Sequence, residues 1–152
     1  MLVIFVPITC ANVIFKIVTK TITNTLKMIL PSIVGETQSA FVPNRLINYN
    51  ALISFERFNF MKHEEKGRHG FMGLKLDMSK AYDMVKWAFL KHTFISMGFP
   101  ISWVSLIMRC VNTMSFVLRV NGNPHRKFSP YRGLRQGDLL SPYLFILCVE
   151  AL

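Results

Sequence analysis

The chain has 152 residues, with 18 Lys or Arg against 8 Asp or Glu and a formal net charge of +10. A hydrophobic share of 51% excludes an intrinsically disordered chain and suffices for about one packed domain. No run of about 18 uncharged apolar residues occurs, so no membrane-spanning helix is expected, and the basic balance points to a polyanionic partner, nucleic acid by default.

Met1 to Ile8 is apolar, but it lacks a basic leader and Pro7 interrupts it. A core strand, or a start codon lying inside a once longer frame, is preferred over a signal peptide. Apolar side chains at Val13, Ile14, Ile17, Val18, Ile22 and Leu26 have helical spacing, with Lys16, Lys20 and Lys27 among them. This predicts a helix over residues 10–29, ended by Pro31. Residues 32–45 read as loop or short strand. A second amphipathic helix is predicted over residues 46–65, and residues 62–69 read as an exposed polar connector. Residues 71–77 read as a short apolar strand with Asp77 at its end. Ser79 is placed to cap a helix carrying Tyr82, Val85, Trp87 and Leu90. Gly98 and Pro100 break that helix, and another follows over residues 102–112. Asn121-Gly122 between two short strands predicts a β-hairpin. A loop through Gly133 and Gly137 leads to a final helix over residues 138–152, with Pro142 near its start, where proline is tolerated. This order suggests α+β. Cys10, Cys110 and Cys148 are odd in number and widely spaced, so reduced buried thiols are expected rather than a disulfide framework or a zinc site. An intracellular chain, in cytoplasm or nucleus, follows from that usage.

Two strings carry more than composition does. Leu74-Lys75-Leu76-Asp77-Met78-Ser79-Lys80-Ala81-Tyr82-Asp83 sets a carboxylate at a strand end. Arg132-Gly133-Leu134-Arg135-Gln136-Gly137-Asp138-Leu139-Leu140-Ser141-Pro142 sets two glycines and two arginines before a helix. Upstream stands Gln38-Ser39-Ala40-Phe41-Val42-Pro43-Asn44-Arg45. Together they resemble the reverse transcriptase domain of a plant non-LTR (LINE-type) retrotransposon, from about Pro7 to Leu152. The resemblance implies a partial fingers-palm of a right-hand polymerase, with an incomplete palm sheet flanked by helices: residues 1–70 as fingers and 71–152 as palm. It implies an RNA template, a DNA primer and a deoxynucleotide as partners, and no membrane.

Phosphoryl transfer of this kind uses two divalent cations, and magnesium prefers carboxylate oxygens. The resemblance makes Asp77 the catalytic metal ligand. Asp83 is a poor second ligand, because a rise of about 1.5 Å per residue carries it away from Asp77. By the same resemblance Tyr82 packs beneath the nucleotide sugar and disfavours a 2′-hydroxyl; its other reading is a core aromatic. Gln136 and Gly137 would contact the nucleotide or template, and Arg132, Arg135 and Gln38 would contact template or phosphate. Arg45 has two readings, a nucleotide or phosphate contact and a surface arginine.

The family's paired-aspartate strand is expected beyond Leu152. Val6, Thr25, Asn44, Met84 and Leu139 depart from its usual residues. A truncated, drifting copy, inactive alone and prone to aggregate, is the expectation. The alternative is a non-enzymatic basic nucleic-acid binder.

Overall fold

A computed structural model describes residues 12–63 and 71–152. The reading of Met1 to Ile8, Cys10 and most of the polar connector lie outside these residues.

Helix α1 (Val13–Ile33) starts at Asn12, whose Oδ1 accepts the Phe15 N–H at 2.7 Å. Its buried face is Thr19, Ile22, Thr23, Leu26 and Leu30, an i, i+3, i+4, i+7, i+11 stripe. Pro31 does not end it, contrary to expectation. The helix runs on to Ile33, and the Val34 N–H bonds the Leu30 carbonyl at 3.0 Å. In the last turn, proline deletes a single donor with little helix left to break.

Helix α2 (Ile47–His63) is the second predicted helix, but none of its residues is buried. Leu52, Phe55, Phe58 and Phe60 all face outward. The expected amphipathic face meets only the irregular segment after residue 70, where Phe60 packs edge-on against Phe71 at 5.8 Å and Phe58 lies beside Gly73.

Residues 71–78 form no strand, which corrects the reading of this segment. Leu74 and Leu76 are exposed, and no described strand pairs with them. Apolar alternation does not make a strand; ladder hydrogen bonds to a neighbour do.

The helix expected after Ser79 is broken in two. Helix α3 (Ala81–Met84) begins after Lys80, which is left-handed at φ 52° and makes no side-chain cap. Helix α4 (Trp87–Ser96) follows after Val85 and Lys86. It ends in a Schellman turn: Gly98 is at φ 80°, its N–H reaches the Ile95 carbonyl, and the Phe99 N–H reaches the Phe94 carbonyl at 3.1 Å. Pro100 then opens α5 (Ile101–Asn112).

Strands β1 (Phe116–Val120) and β2 (Asn123–Phe128) form the antiparallel hairpin, with Asn121 at φ 52° and Gly122 at φ 82°. Two positive φ angles define the type I′ turn that Asn-Gly favours. Helix α6 (Ser141–Glu150) carries Pro142 in its first turn.

The described residues are therefore mixed helices with one small two-stranded sheet. One core joins α1, α4, α5 and α6 through Leu26, Leu30, Leu90, Phe94, Ile107 and Leu147, all fully buried. No described helix is long and apolar enough to cross a membrane.

Cys110 and Cys148 are free and buried. Burial pushes the Cys148 thiol up from its ordinary 9.0 to about 12. Its folded value lies above its unfolded one, so the stability it contributes is whole below pH 9 and is lost as pH rises toward 12. Unfolding free energies from about pH 8 to about pH 11 should therefore fall more steeply in the native chain than in Cys148→Ala. Parallel slopes would contradict this.

Candidate functional site

The two motifs meet through backbone. The Leu134 N–H bonds the Tyr82 carbonyl at 2.9 Å, and the Gly133 N–H bonds the Val85 carbonyl at 2.8 Å. Lys86 and Arg132 form an antiparallel bridge. The Trp87 indole N–H donates to the Gly133 carbonyl at 2.8 Å. Gly133 is buried at φ 92°, and a Cβ there would lie 3.5 Å from both Cα and O of Asp83. Glycine permits this approach and this backbone angle together. The dock also explains why the helix after Ser79 breaks: the Val85 carbonyl is turned to residue 133 instead of continuing a helical ladder.

Behind the dock opens a cavity of about 480 Å³. Tyr82 and residues 135–139 form one wall. Ser141, Pro142 and Tyr143 from the start of α6 continue it, and Lys20, Thr23 and Lys27 of α1 face them, with Phe41 beside. The Tyr82 ring stacks on Phe145 with centroids 5.0 Å apart and planes 14° from parallel. Burial raises the Tyr82 hydroxyl above its ordinary 10.0, which keeps it neutral.

Two of the cations at this cavity rest on rings. The Arg135 guanidinium lies 4.4 Å from the Phe15 ring centre, and Lys27 Nζ lies 5.6 Å from that of Tyr143. Phe41 meets Tyr143 edge-on at 6.3 Å and holds a left-handed backbone at φ 60°. A non-glycine residue in that region is strained, and such strain gathers at binding sites.

Of the residues singled out in the sequence, Tyr82, Arg135, Gln136 and Gly137 line this cavity. The others lie elsewhere. Asp77 is exposed on the irregular segment 71–78. Arg132 is exposed beside the Tyr131 ring, 5.7 Å from its centre. Gln38 donates from Nε2 to the Ala40 carbonyl. The Arg45 guanidinium donates to the carbonyls of Pro31, Val34, Gly35 and Gln38, at 2.6 Å for Gln38 and 3.1 Å for Val34. It ties the end of α1 to the loop that follows, satisfying carbonyls a helix end leaves open.

Lys20, Thr23, Lys27, Phe41 and Asp138 were not predicted for the site. The first three stand at i, i+3 and i+7 on one face of α1, a spacing that tells of a shared face but not of the loop that covers it. Among the described residues, no group of three His, Cys, Asp or Glu side chains is placed to hold a metal ion.

Comparisons with known proteins point the same way. The uncharacterized 149 kDa protein of transposon TX1 from Xenopus laevis is 27% identical over 144 residues, covering 95% of this chain. The retrovirus-related Pol polyprotein of the type-2 retrotransposable element R2DM from Drosophila melanogaster is 32% identical over 92 residues, 60% of this chain. An uncharacterized mitochondrial protein of Arabidopsis thaliana is 67% identical over 33 residues, 22% of this chain and 27% of its own length. The chain spans 11% of the Xenopus protein and 9% of the Drosophila one. The family model described as reverse transcriptase (RNA-dependent DNA polymerase) matches residues 5–152, and the chain belongs to that family.

Proposed function

We propose that the chain is the nucleotide-holding portion of an RNA-directed DNA polymerase from a non-LTR retrotransposon of plant type, with residues 1–70 as fingers and 71–152 as palm. The observation that carries this is the cavity itself. It draws Tyr82 from one family motif and Arg135, Gln136 and Gly137 from the other to a single wall. The Arabidopsis stretch supports the plant-type parent. Tyr82, flat on Phe145, is the gate against a 2′-hydroxyl. Gln136 and the Gly137 backbone hold the sugar or template, and Arg135 meets phosphate. Arg132, exposed on the outer side of the dock, and Gln38 serve the template. Arg45 shapes the loop that carries Phe41, and reaches the nucleotide only through it. The partners are an RNA template, a DNA primer and a deoxynucleotide, met inside the cell in cytoplasm or nucleus.

The family generally uses a divalent metal. Asp77 is the carboxylate for it here, but magnesium takes about six oxygens in a strict octahedron. The described donors do not complete that set. Asp77 alone does not fit a two-metal centre, so no chemical step is assigned, and the isolated chain is expected to bind without polymerising.

The test is template-directed selection. On a primed RNA template with magnesium, the chain should retain the matched deoxynucleotide over mismatched ones, and should form no extension product. Tyr82→Ala should bring the matched ribonucleotide close to parity with the deoxynucleotide. Equal retention of matched and mismatched nucleotides would sink the proposal, and extension would overturn the inactivity. A second reading, a basic nucleic-acid binder without nucleotide selection, draws on the net charge of +10. It predicts steeply salt-dependent binding with no preference among nucleotides.

A further inference from the structure

Among the chain's prolines, two follow a hydroxyl residue, at Ser129-Pro130 and Ser141-Pro142, and the fold treats them oppositely. Ser141 is 3% exposed and opens α6 inside the core. Ser129 is exposed, in the irregular segment between β2 and the dock of residues 132–134. Proline bars the helical region to the residue before it, so Ser129 is held extended. The alternation that ends β2 carries on one residue further, which places Ser129 on the face of Lys127 and opposite Phe128. The Phe128 ring meets Phe116 at 5.7 Å on its own face. His125, Arg126 and Lys127 are exposed, and among the described residues their side chains have no ion pair, hydrogen bond or ring contact. Arg132 rests beside the Tyr131 ring and pairs with no described carboxylate. The hairpin also yields easily. No β2 residue is buried, β1 alone among the described strands pairs with it, and a two-stranded hairpin is marginal by itself.

We propose that Ser129 is a phosphorylation site for a proline-directed serine/threonine kinase, and that its phosphate cancels the basic face of the hairpin. Such a kinase takes its substrate as an extended strand and reads the proline after the hydroxyl. Arg126 and Lys127, on the N-terminal side, offer cations to its carboxylates. The Ser129 Oγ attacks the γ-phosphorus of ATP. The new O–P bond forms as the bond to the departing ADP oxygen breaks, and the hydroxyl proton passes to a carboxylate of the kinase. The product carries about −1.5 to −2 charge. Lys127 is two residues away, about 7 Å along an extended chain, which is within the screening length of about 8 Å at physiological salt. Arg132 is three residues away on the other side. Both cations then have an anion of their own chain, in place of a nucleic-acid phosphate. This consequence rests on reading the chain as a nucleic-acid-binding polymerase portion; the modification site itself does not.

The experiment is incubation of the full chain with ATP and a purified proline-directed kinase, then peptide mass mapping and titration with single-stranded RNA at several salt concentrations. One phosphate should enter at Ser129, and Ser141 should stay unmodified. S129A should lose that uptake. P130A keeps the exposed hydroxyl and should lose most of it too, which separates recognition of the proline from mere exposure. The phosphorylated chain should bind RNA more weakly, and the slope of its affinity against salt should fall by about 1 to 2. Uptake by S129A equal to that of the native chain would overturn the site, as would modification of Ser141 in its place. Uptake by P130A equal to the native chain's would overturn the class of kinase. Equal RNA affinity with and without the phosphate would overturn the charge cancellation. A chain that takes up the phosphate at Ser129 but binds no RNA in either state would fault the polymerase reading and uphold the site.

Discussion

Phe94→Ala should lower the unfolding free energy by about 3–5 kcal/mol, the largest loss expected from a single side chain here. Phe94 is fully buried in the core that joins α4 to α5 and α6. Its removal loses apolar burial and leaves a cavity that neighbouring helices can close only in part. A second loss adds to this. Phe94 is also the residue whose carbonyl receives the Phe99 N–H across the turn at Gly98, and its ring meets Phe99 edge-on at 4.8 Å. That ring pair is the apolar contact that closes a Schellman turn, and Phe99 stacks in turn near Trp103 at 6.0 Å. Alanine keeps the backbone bond and deletes the ring contact, so α5 loses part of what fixes its angle to α4. A chain of this size holds about 5–15 kcal/mol in all, so the variant should melt on the order of 10 °C lower. Phe94→Leu, which keeps most of the volume, should lose far less. Chemical denaturation of the three chains decides it. A loss below about 1 kcal/mol for alanine would mean that the core is not built around this ring.

What was legible in the sequence was local. Asn121-Gly122 and Gly98-Pro100 specify backbone angles that hold whatever surrounds them, and both turns stand where the residues demanded. The apolar stripe of α1 was also readable, because Ile22 and Leu26 bury a helix face whichever element covers it. What failed depended on distant partners. Residues 71–77 alternate like a strand, but a ladder needs a neighbour and none of the described strands supplies one. The helix after Ser79 has adequate propensity to continue through Val85, yet residue 133 takes the Val85 carbonyl. Part of the cavity was legible because the glycines and Gln136 sit inside one short string. Its α1 wall was not, because nothing in Lys20 or Lys27 announces that a loop more than a hundred residues later faces them.

Gly133→Val should cost about 3–5 kcal/mol and should also unmake the cavity. The residue sits at φ 92°, which a β-branched side chain resists. Its Cβ direction meets the Asp83 backbone at 3.5 Å. One carbon at that distance is ordinary contact, so Gly133→Ala should carry mainly the backbone penalty, about 1–2 kcal/mol. Valine's two further methyls have no room unless the segment of residues 132–134 lifts from residues 82–86. That lift would strain the bonds from Leu134 to Tyr82, from Gly133 to Val85 and from Trp87 to Gly133, the three that set Tyr82 beside Gln136. Gly122 separates the two causes: it sits at φ 82° with nothing within 4 Å of a Cβ. Gly122→Ala and Gly133→Ala should therefore lose similar stability, whereas Gly133→Val should exceed Gly122→Val. Nucleotide retention should fall in Gly133→Val and persist in Gly122→Val, because the hairpin turn is not part of the cavity lining. Equal losses in the two valine variants, with retention intact in both, would mean that the close approach of Gly133 to Asp83 does not hold the two motifs together.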